Sequence, residues 1–206
     1  VYFKCPMLCT LSLNGLAGAL EVLSFVPGQD FEVVTVSFDP PPLKATGGVR
    51  VLPSHSVRML ARAGTIVIPN WPRLDEVPPP DMLDAVRAAY KRGARLLSIC
   101  SGAFVLAAAG LLDGRRATTH WMHAGKLAQR YPKVHVEPSV LYVESGRIFT
   151  AAGSAAGIDL GLHIVRHDYG SDIANQVARR MVVPPHRDGG QAQYVATAMP
   201  PAEGSL

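Results

Sequence analysis

Short apolar runs alternate with segments of helical apolar spacing along most of the chain. Thr65–Ile68, stopped by Pro69, and Arg95–Ile99 are continuously hydrophobic at their centres, which is typical of parallel strands buried on both faces. Between them, residues 81–92 carry apolar side chains at helical spacing, and Gly93 stands at the expected C-cap. This order predicts a β-α-β unit with both strands in one sheet.

The flanking segments predict further strands and helices. Residues 31–38 alternate polar and apolar positions with β-branched enrichment and are predicted as a strand, and residues 49–52 as a short strand of a hairpin. A hairpin with a two-residue turn at Ser145 and Gly146 is predicted over 141–150. Further helices are predicted over 13–25, 155–166 and 172–182.

Because the central strands are apolar throughout and strict alternation occurs only at the edges, the pattern predicts an α/β fold. We expect a three-layer sandwich of flavodoxin-like type, with a mostly parallel sheet, helices on both faces and small antiparallel additions. A cysteine elbow is expected after a central strand, because the apolar strand 95–99 ends on Cys100. Ser101 and Gly102 then lead directly into an apolar helix that is expected to end near 110–112.

This strand, tight turn and helix place Cys100 at the carboxyl end of a strand and at a helix N-terminus, the geometry of a nucleophile elbow. The unpaired amides of the helix would favour a thiolate over a thiol. The structural alternative is a small buried hydrophobic side chain. The pattern therefore predicts that Cys100 lies in a pocket, and leaves open whether the thiol reacts.

Two other segments are expected at the same edge of the sheet. Asn70 and Trp71 follow the strand stopped by Pro69, where clefts of α/β proteins open, and Trp71 either walls a pocket or covers the sheet edge. Residues 116–119 are predicted to return as a short strand that brings His120 and Trp121 toward the elbow. A thiol with an imidazole in reach is the minimum for nucleophilic catalysis, although His120 can equally be a hydrogen-bonded histidine at a strand end.

Composition narrows the class of protein. With 206 residues, 48% hydrophobic and 17% charged, the chain suits one globular domain, and its longest apolar run, 103–112, is too short for the roughly 20 residues of a membrane span. Three cysteines are too few for a disulfide scaffold, so we expect a cytoplasmic location. The net charge is +4, and the sequence contains no run of five basic residues, which argues against direct nucleic-acid binding. We expect no metal site, because Cys5 and Cys9 lack a second Cys/His pair, and we expect no cofactor.

Residues 98–104 and 109–121 resemble the ThiJ/PfpI family of class I glutamine amidotransferase-like domains, in the branch fused to AraC-type transcriptional regulators. Residues 152–160 resemble the late helix of that branch. Residues 182–193 resemble the stretch that closes its N-terminal domain, and this is the most specific motif. The resemblance covers about residues 13 to 195.

The resemblance implies a ligand-sensing and dimerisation domain over 1–195 of a cytoplasmic transcriptional regulator. It implies a small-molecule effector, a homodimer, no membrane contact, and DNA binding only through helix-turn-helix units that lie outside this chain. Residues 196–206 have linker composition and are expected to lead toward that DNA-binding domain. Together with a first residue, Val1, that is not methionine, this composition suggests a fragment of a longer protein.

Two departures from the family pattern favour sensing over catalysis. The acidic residue that enzymes of the family place against the thiol corresponds here to Gly15 or Asn14, and the histidine that protease-like members carry after the cysteine is Ser101. The alternative is a cysteine-dependent hydrolase or hydratase, similar to isonitrile hydratases, in which Cys100 attacks and His120 moves a proton. Redox sensing through Cys100 is a third alternative. The predicted ligand-binding residues are Cys100, Ser101, Asn14, Asn70, Trp71, His120 and Trp121.

The charged side chains of the last third are expected to be structural. Asp159 lies on a helix face toward the core or a neighbouring element, where a structural ion pair is expected. His186 and Arg187, in the closing stretch, are expected to make docking or interdomain contacts rather than to bind ligand. Solvent-exposed or dimer-surface positions are expected for Arg166, Arg179 and Arg180.

Overall fold

The structure is a computed structural model that describes residues 32–44, 50–153 and 155–193. The predicted helix over 13–25, the predicted pocket residue Asn14 and the linker over 196–206 lie outside the described residues. The strands are β1 Leu43–Lys44, β2 Arg50–Val51, β3 Thr65–Ile68, β4 Arg95–Ile99, β5 Arg116–Ala117, β6 His135–Val136, β7 Tyr142–Ser145 and β8 Ile148–Ala151. The α-helices are α1 Pro80–Arg92, α2 Ala103–Ala108, α3 Trp121–Arg130, α4 Ala155–Tyr169 and α5 Ser171–Met181. Short 3-10 helices cover Val57–Ala61 and Cys100–Gly102.

The main sheet has four strands in the order β3-β4-β8-β7. β3, β4 and β8 are parallel, and β7 is antiparallel to β8. The expected mostly parallel sheet and the β3-α1-β4 unit are therefore confirmed, and Gly93 caps α1 in the left-handed conformation at φ 111°. The carboxyl ends of the parallel strands meet at one edge of the sheet, where the last residues are Ile68, Ile99 and Ala151.

Helices cover both faces of this sheet. Leu96 of β4 packs in one cluster with Val86 of α1 and Phe104 of α2. The next residue, Leu97, points to the other face and packs in a second cluster with Leu160 of α4. Because fully burying each of these side chains contributes about 1.5–3 kcal/mol, the two clusters hold β4 and the turn that follows it firmly in the middle of the fold.

The predicted strand over 31–38 is wrong for residues 32–38, to which the structure assigns no strand. The Thr35 amide donates to Ser54 Oγ at 2.9 Å, and the Ser54 amide donates to Thr35 Oγ1 at 2.9 Å. The His55 amide also donates to the Thr35 carbonyl at 3.1 Å, in the pattern of a strand ladder. Side-chain hydroxyls replace backbone partners here, and hydrophobic alternation cannot reveal such replacement. The short hairpin expected near 49–52 is present over Arg50–Val51, which pairs with β1.

Several predicted ends shift by a few residues. The hairpin turn is at Gly146 and Arg147 instead of Ser145 and Gly146, because Ser145 pairs with Ile148 and Gly146 takes the positive φ of 65°. α4 continues to Tyr169, three residues beyond the predicted end at 166. In both cases the end is set by a glycine at positive φ: Gly146 in the turn, and Gly170, at 87°, directly after α4.

The predicted elbow helix and the strand after it are both shorter than expected. α2 ends at Ala108, before Gly110 at φ 73°. The predicted strand 116–119 keeps strand pairing only in β5, which is parallel to β6 in a separate small sheet. Thr118 and Thr119 lie outside the strand, and their hydroxyls donate to the carbonyls of Glu137 and Cys100.

Candidate functional site

The elbow at Cys100 has the predicted geometry. β4 ends at Ile99, Cys100 adopts φ 55°, and Ser101 and Gly102 complete a 3-10 turn into α2. Positive φ at a residue with a side chain costs energy and persists only where the surroundings impose it. The half-buried Cys100 is therefore held at the carboxyl edge of the sheet, directly after β4, which lies between β3 and β8.

Two glycines allow the neighbouring chain to press against this turn. A Cβ on Gly102 would lie 2.1 Å from the Ile68 carbonyl oxygen, so the helix start sits directly on the end of β3. A Cβ on Gly153, which has φ 116°, would lie 2.9 Å from the Cys100 Cβ. The elbow is thus enclosed by the ends of β3 and β8, and neither contact tolerates a side chain.

Ser101 joins the elbow to the end of β3. Its side chain is buried, donates a hydrogen bond to Asn70 Oδ1 and accepts one from the Trp71 amide at 3.0 Å. The Trp71 side chain is 1% exposed, and its Nε1 donates to the Arg73 carbonyl at 2.8 Å. The structure therefore brings Asn70, Trp71 and Ser101 together, with the Trp71 ring in the core beneath the edge.

The segment that carries His120 is bound to the backbone of the elbow. Thr119 donates from Oγ1 to the Cys100 carbonyl at 2.7 Å, and the Thr118 amide donates to Thr150 Oγ1 at 2.9 Å. His120 then caps α3, because its Nδ1 accepts from the Met122 amide at 3.3 Å. Trp121 is 53% exposed beside it. His120 and Trp121 are thereby placed next to a residue that contacts Cys100, while a direct pairing of the thiol with the imidazole remains a prediction.

Sequence reasoning missed three side chains that hold this segment: Thr118, Thr119 and Gln193. Both threonines are fully buried. The Gln193 side chain bridges to the His120 segment from the closing stretch, as described below. Two consecutive threonines before a candidate histidine were the available signal, because a buried hydroxyl must find a partner and so fixes the local backbone.

The two histidines of this region are shifted toward the neutral form. Burial lowers the pKa of His120 below its ordinary value. Burial, followed by the positive charges of His120 and Lys126, lowers the pKa of His123. The ring centroids of His120 and His123 lie 5.7 Å apart. At neutral pH, His120 is therefore uncharged, and because its Nδ1 accepts from the Met122 amide, its Nε2 carries the proton and can donate a hydrogen bond.

These pKa shifts predict a loss of stability in mild acid. A histidine whose pKa is lower in the folded state takes up protons more readily when unfolded, so its contribution is complete above about pH 6.5 and is lost as the pH falls through the folded-state pKa. We expect the free energy of unfolding, measured with urea, to decrease between pH 7.5 and pH 5.5 in the wild type. The decrease should be smaller in His123→Gln. His135→Gln, at an exposed position of β6, should keep the wild-type dependence. An undiminished dependence in His123→Gln would contradict the assignment.

A cavity of about 120 Å³ lies at the opposite end of the sheet. Arg95 and Arg147 at the amino ends of β4 and β8 line it, together with Asp168 of α4. Arg95 donates to both carboxylate oxygens of Asp168, at 2.7 and 3.2 Å. Arg95 and Asp168 therefore engage each other, and the cavity lies at the amino ends of the strands, away from the elbow at their carboxyl ends.

The ion pair expected at Asp159 is confirmed. Arg187 donates from Nε to Asp159 Oδ1 at 2.9 Å and from a second nitrogen to Oδ2. Arg166, expected at a solvent or dimer surface, donates to the Pro185 carbonyl at 2.7 Å and contacts His186. These contacts attach the closing stretch to α4. Among the described residues, no group of three His, Cys, Asp or Glu side chains could hold a metal, and no helix is long and apolar enough to cross a membrane.

The sheet, the flanking helices and the cysteine at positive φ define an α/β domain with a nucleophile-elbow turn. The chain belongs to the DJ-1/PfpI family, whose model matches residues 13–167. This finding establishes the family named by the sequence motifs.

Its relatives include both regulators and an enzyme. The HTH-type transcriptional regulator CdhR of Pseudomonas aeruginosa is 33% identical over 149 residues, which cover 72% of this chain and 44% of CdhR. The isonitrile hydratase of Pseudomonas putida is 30% identical over 171 residues, which cover 82% of this chain and 73% of the hydratase. This chain thus spans less than half of the CdhR sequence. The crystal structure of an AraC family transcriptional regulator from Pseudomonas putida has the same fold, with a TM-score of 0.73 and 20% identity over 86% of this chain and 94% of that one.

Proposed function

We propose that this chain is the effector-sensing and dimerisation domain of an AraC-type transcriptional regulator, without catalytic activity of its own. The observation that carries the proposal is the environment of Ser101, directly after the elbow cysteine. Its hydroxyl is buried and is engaged by Asn70 and the Trp71 amide. The residue that is a histidine in protease-like members is therefore a structural hydroxyl here, which supports a binding site in place of a catalytic one.

The effector site of this proposal is the carboxyl edge of the sheet around Cys100. The exposed Trp121 offers an aromatic face, and the neutral His120 imidazole and the Asn70 amide offer polar partners. Binding would act on transcription only if the effector favours one of two arrangements of the domain or the dimer. Trp71, which is 1% exposed, would support this site from the core, and Asn14, also predicted to bind ligand, lies outside the described residues.

The same proposal includes the organisation of the whole regulator. It takes residues 1–195 as a flavodoxin-like three-layer domain that forms a homodimer in the cytoplasm. It takes residues 196–206 as a linker toward helix-turn-helix units that bind DNA outside this chain. The match covers 44% of CdhR, so more than half of that regulator lies outside the matched region. A longer protein of similar organisation would have room for the proposed DNA-binding domain.

A thermal-shift screen tests the proposed site. The probes are individual metabolites that carry amine, carboxylate or amide groups. A probe present at about 100 times its Kd stabilises the native state by about 2.7 kcal/mol, which raises the Tm by about 5–10 °C for a chain of this size. We expect Trp121→Ala to remove the shift. The control is Tyr169→Ala at the end of α4, which is 46% exposed and should keep the shift. Equal shifts in the two variants would contradict the placement of the site.

A second candidate function is hydration of an isonitrile by the elbow. The 30% identity to an isonitrile hydratase favours it, as does a neutral His120 beside the segment that contacts Cys100. In this reaction, the isonitrile carbon gains the oxygen and one hydrogen of water and the nitrogen gains the other hydrogen, which gives an N-substituted formamide. Incubation with cyclohexyl isocyanide and detection of the formamide decides between the two. Turnover that Cys100→Ala abolishes would establish the enzyme, and no turnover by the wild type would remove it.

A further inference from the structure

The side-chain amide of Gln193 contacts the backbone on both sides of His120. Its Oε1 accepts a hydrogen bond from the Trp121 amide at 2.9 Å, and its Nε2 donates to the Thr119 carbonyl at 3.0 Å. These are the two groups that a neighbouring β-strand would bind at residue 120. The amide therefore replaces a strand partner and fixes the backbone of the candidate histidine.

The same nitrogen is held in place by two further acceptors. Nε2 donates to the Val140 carbonyl at 2.7 Å and lies 3.2 Å from Thr118 Oγ1. The backbone of the closing stretch supports this position, since the Gln193 amide donates to the Ser139 carbonyl at 2.6 Å. Gln193 is thus not a surface side chain that happens to lie nearby but the end of a stretch attached on its backbone and its side chain.

One more hydrogen bond connects this arrangement with the elbow. Thr119, whose carbonyl accepts from Gln193, donates from its own hydroxyl to the Cys100 carbonyl at 2.7 Å. Cys100 adopts a positive φ of 55°, so the orientation of its peptide depends on such external contacts. A continuous series of bonds therefore runs from Gln193 through Thr119 to Cys100.

We propose that Gln193 is a positioning residue of the elbow site. Its amide sets the backbone of His120 and, through Thr119, the orientation of the Cys100 peptide, and it thereby couples the site to the closing stretch, residues 182–193. The inference rests on the proposed function only in taking the elbow as the effector site. Because coupling between two sites is reciprocal, a molecule on Cys100 that displaces Thr119 must also weaken the hold on Gln193.

The chemistry of this position requires a primary amide. Only an amide supplies an acceptor and a pair of donors on one planar group. Gln193→Glu would place a carboxylate against the Thr119 and Val140 carbonyls, and Gln193→Met would keep the length without any strong donor. Gln191→Glu makes the same charge change at an exposed position two residues earlier and serves as the matched control.

The experiment measures two rates in the full 206-residue chain. The first is alkylation of Cys100 by iodoacetamide, resolved by peptide mass spectrometry from the other two cysteines. The second is hydrogen exchange of the Trp121 amide. Loss of one hydrogen bond corresponds to about a threefold to tenfold change. We expect changes of that size in Gln193→Glu and Gln193→Met and none in Gln191→Glu.

A third measurement uses the wild type alone, so that a variant that fails to fold does not remove the test. Alkylation of Cys100 should accelerate exchange of the Trp121 amide, because the coupling works in both directions. Unchanged exchange after alkylation, or a folded Gln193→Met with wild-type rates, would overturn the inference. No shift by any metabolite, together with altered rates in the Gln193 variants, would remove the proposed effector function and leave the positioning role intact.

Discussion

Gly102→Ala is expected to lower the free energy of unfolding by about 3 kcal/mol or more, the largest effect of any single methyl group at the elbow. The new Cβ would lie 2.1 Å from the Ile68 carbonyl oxygen and 3.0 Å from the carbonyl carbon. Both atoms belong to the backbone of β3, which cannot move aside as a flexible side chain could. Relief requires α2 to withdraw from β3, and this would also separate Ser101 from Asn70 and the Trp71 amide.

The control for this variant is Gly125→Ala in α3. Gly125 is exposed, and no described atom lies within 4 Å of a Cβ placed on it. Alanine is the better helix former by about 1 kcal/mol, so this variant should be slightly more stable than the wild type. Urea unfolding of both variants measures the difference. Surface substitutions usually change the free energy of unfolding by less than about 0.5 kcal/mol. A change of that small size in Gly102→Ala would show that the elbow does not rest on β3.

The elbow and the central strands could be predicted from the sequence because local patterns determine them. A continuous apolar run specifies a buried strand, and a cysteine followed by a serine and a glycine before an apolar helix leaves only a tight turn between them. Cys100, Ser101 and Asn70 therefore come from strand ends that the sequence already identifies. The positions of the glycines with positive φ, such as Gly146, decide the remaining ends and are not specified by hydrophobic periodicity.

The contacts that organise the site could not be predicted, because they join segments distant in sequence through polar side chains. Gln193 contacts Thr119 across 74 positions, and Thr119 contacts Cys100 across 19. The failure at residues 32–38 has the same origin, since the hydroxyls of Thr35 and Ser54 replace a strand partner. Hydrophobic patterns report which face is buried and contain no information about which hydroxyl or amide satisfies a buried backbone group.

Arg187→Ala is the second change with a large expected effect. Asp159 of α4 is 8% exposed, and Arg187 donates to both of its carboxylate oxygens. Removal of one partner of a buried pair leaves a charge without compensation and costs about 3–5 kcal/mol. The Arg187 side chain is 33% exposed, so water can replace part of the lost interaction. We therefore expect the free energy of unfolding to fall by about 2–3 kcal/mol.

The control is Arg179→Ala, an exposed arginine of α5, which should change stability by less than about 0.5 kcal/mol. Asp159→Leu combined with Arg187→Met should recover most of the loss, because no charge is then left buried without a partner. Urea unfolding of the three variants and the wild type measures these differences. If the double variant were as unstable as Arg187→Ala, packing and not charge would account for the effect.

Arg187 also attaches the closing stretch, which includes Gln193, to α4, so removing its side chain should change the environment of Cys100. The Gly189 carbonyl, two residues on, accepts from the Leu141 amide at 2.7 Å, and Ala192 forms a bridge with Val140. Arg187→Ala should therefore alter iodoacetamide alkylation of Cys100 in the same direction as Gln193→Met, and by a smaller factor, because these backbone contacts remain. Wild-type alkylation in a destabilised Arg187→Ala protein would mean that the stretch before Gly189 stabilises the fold without influencing the site.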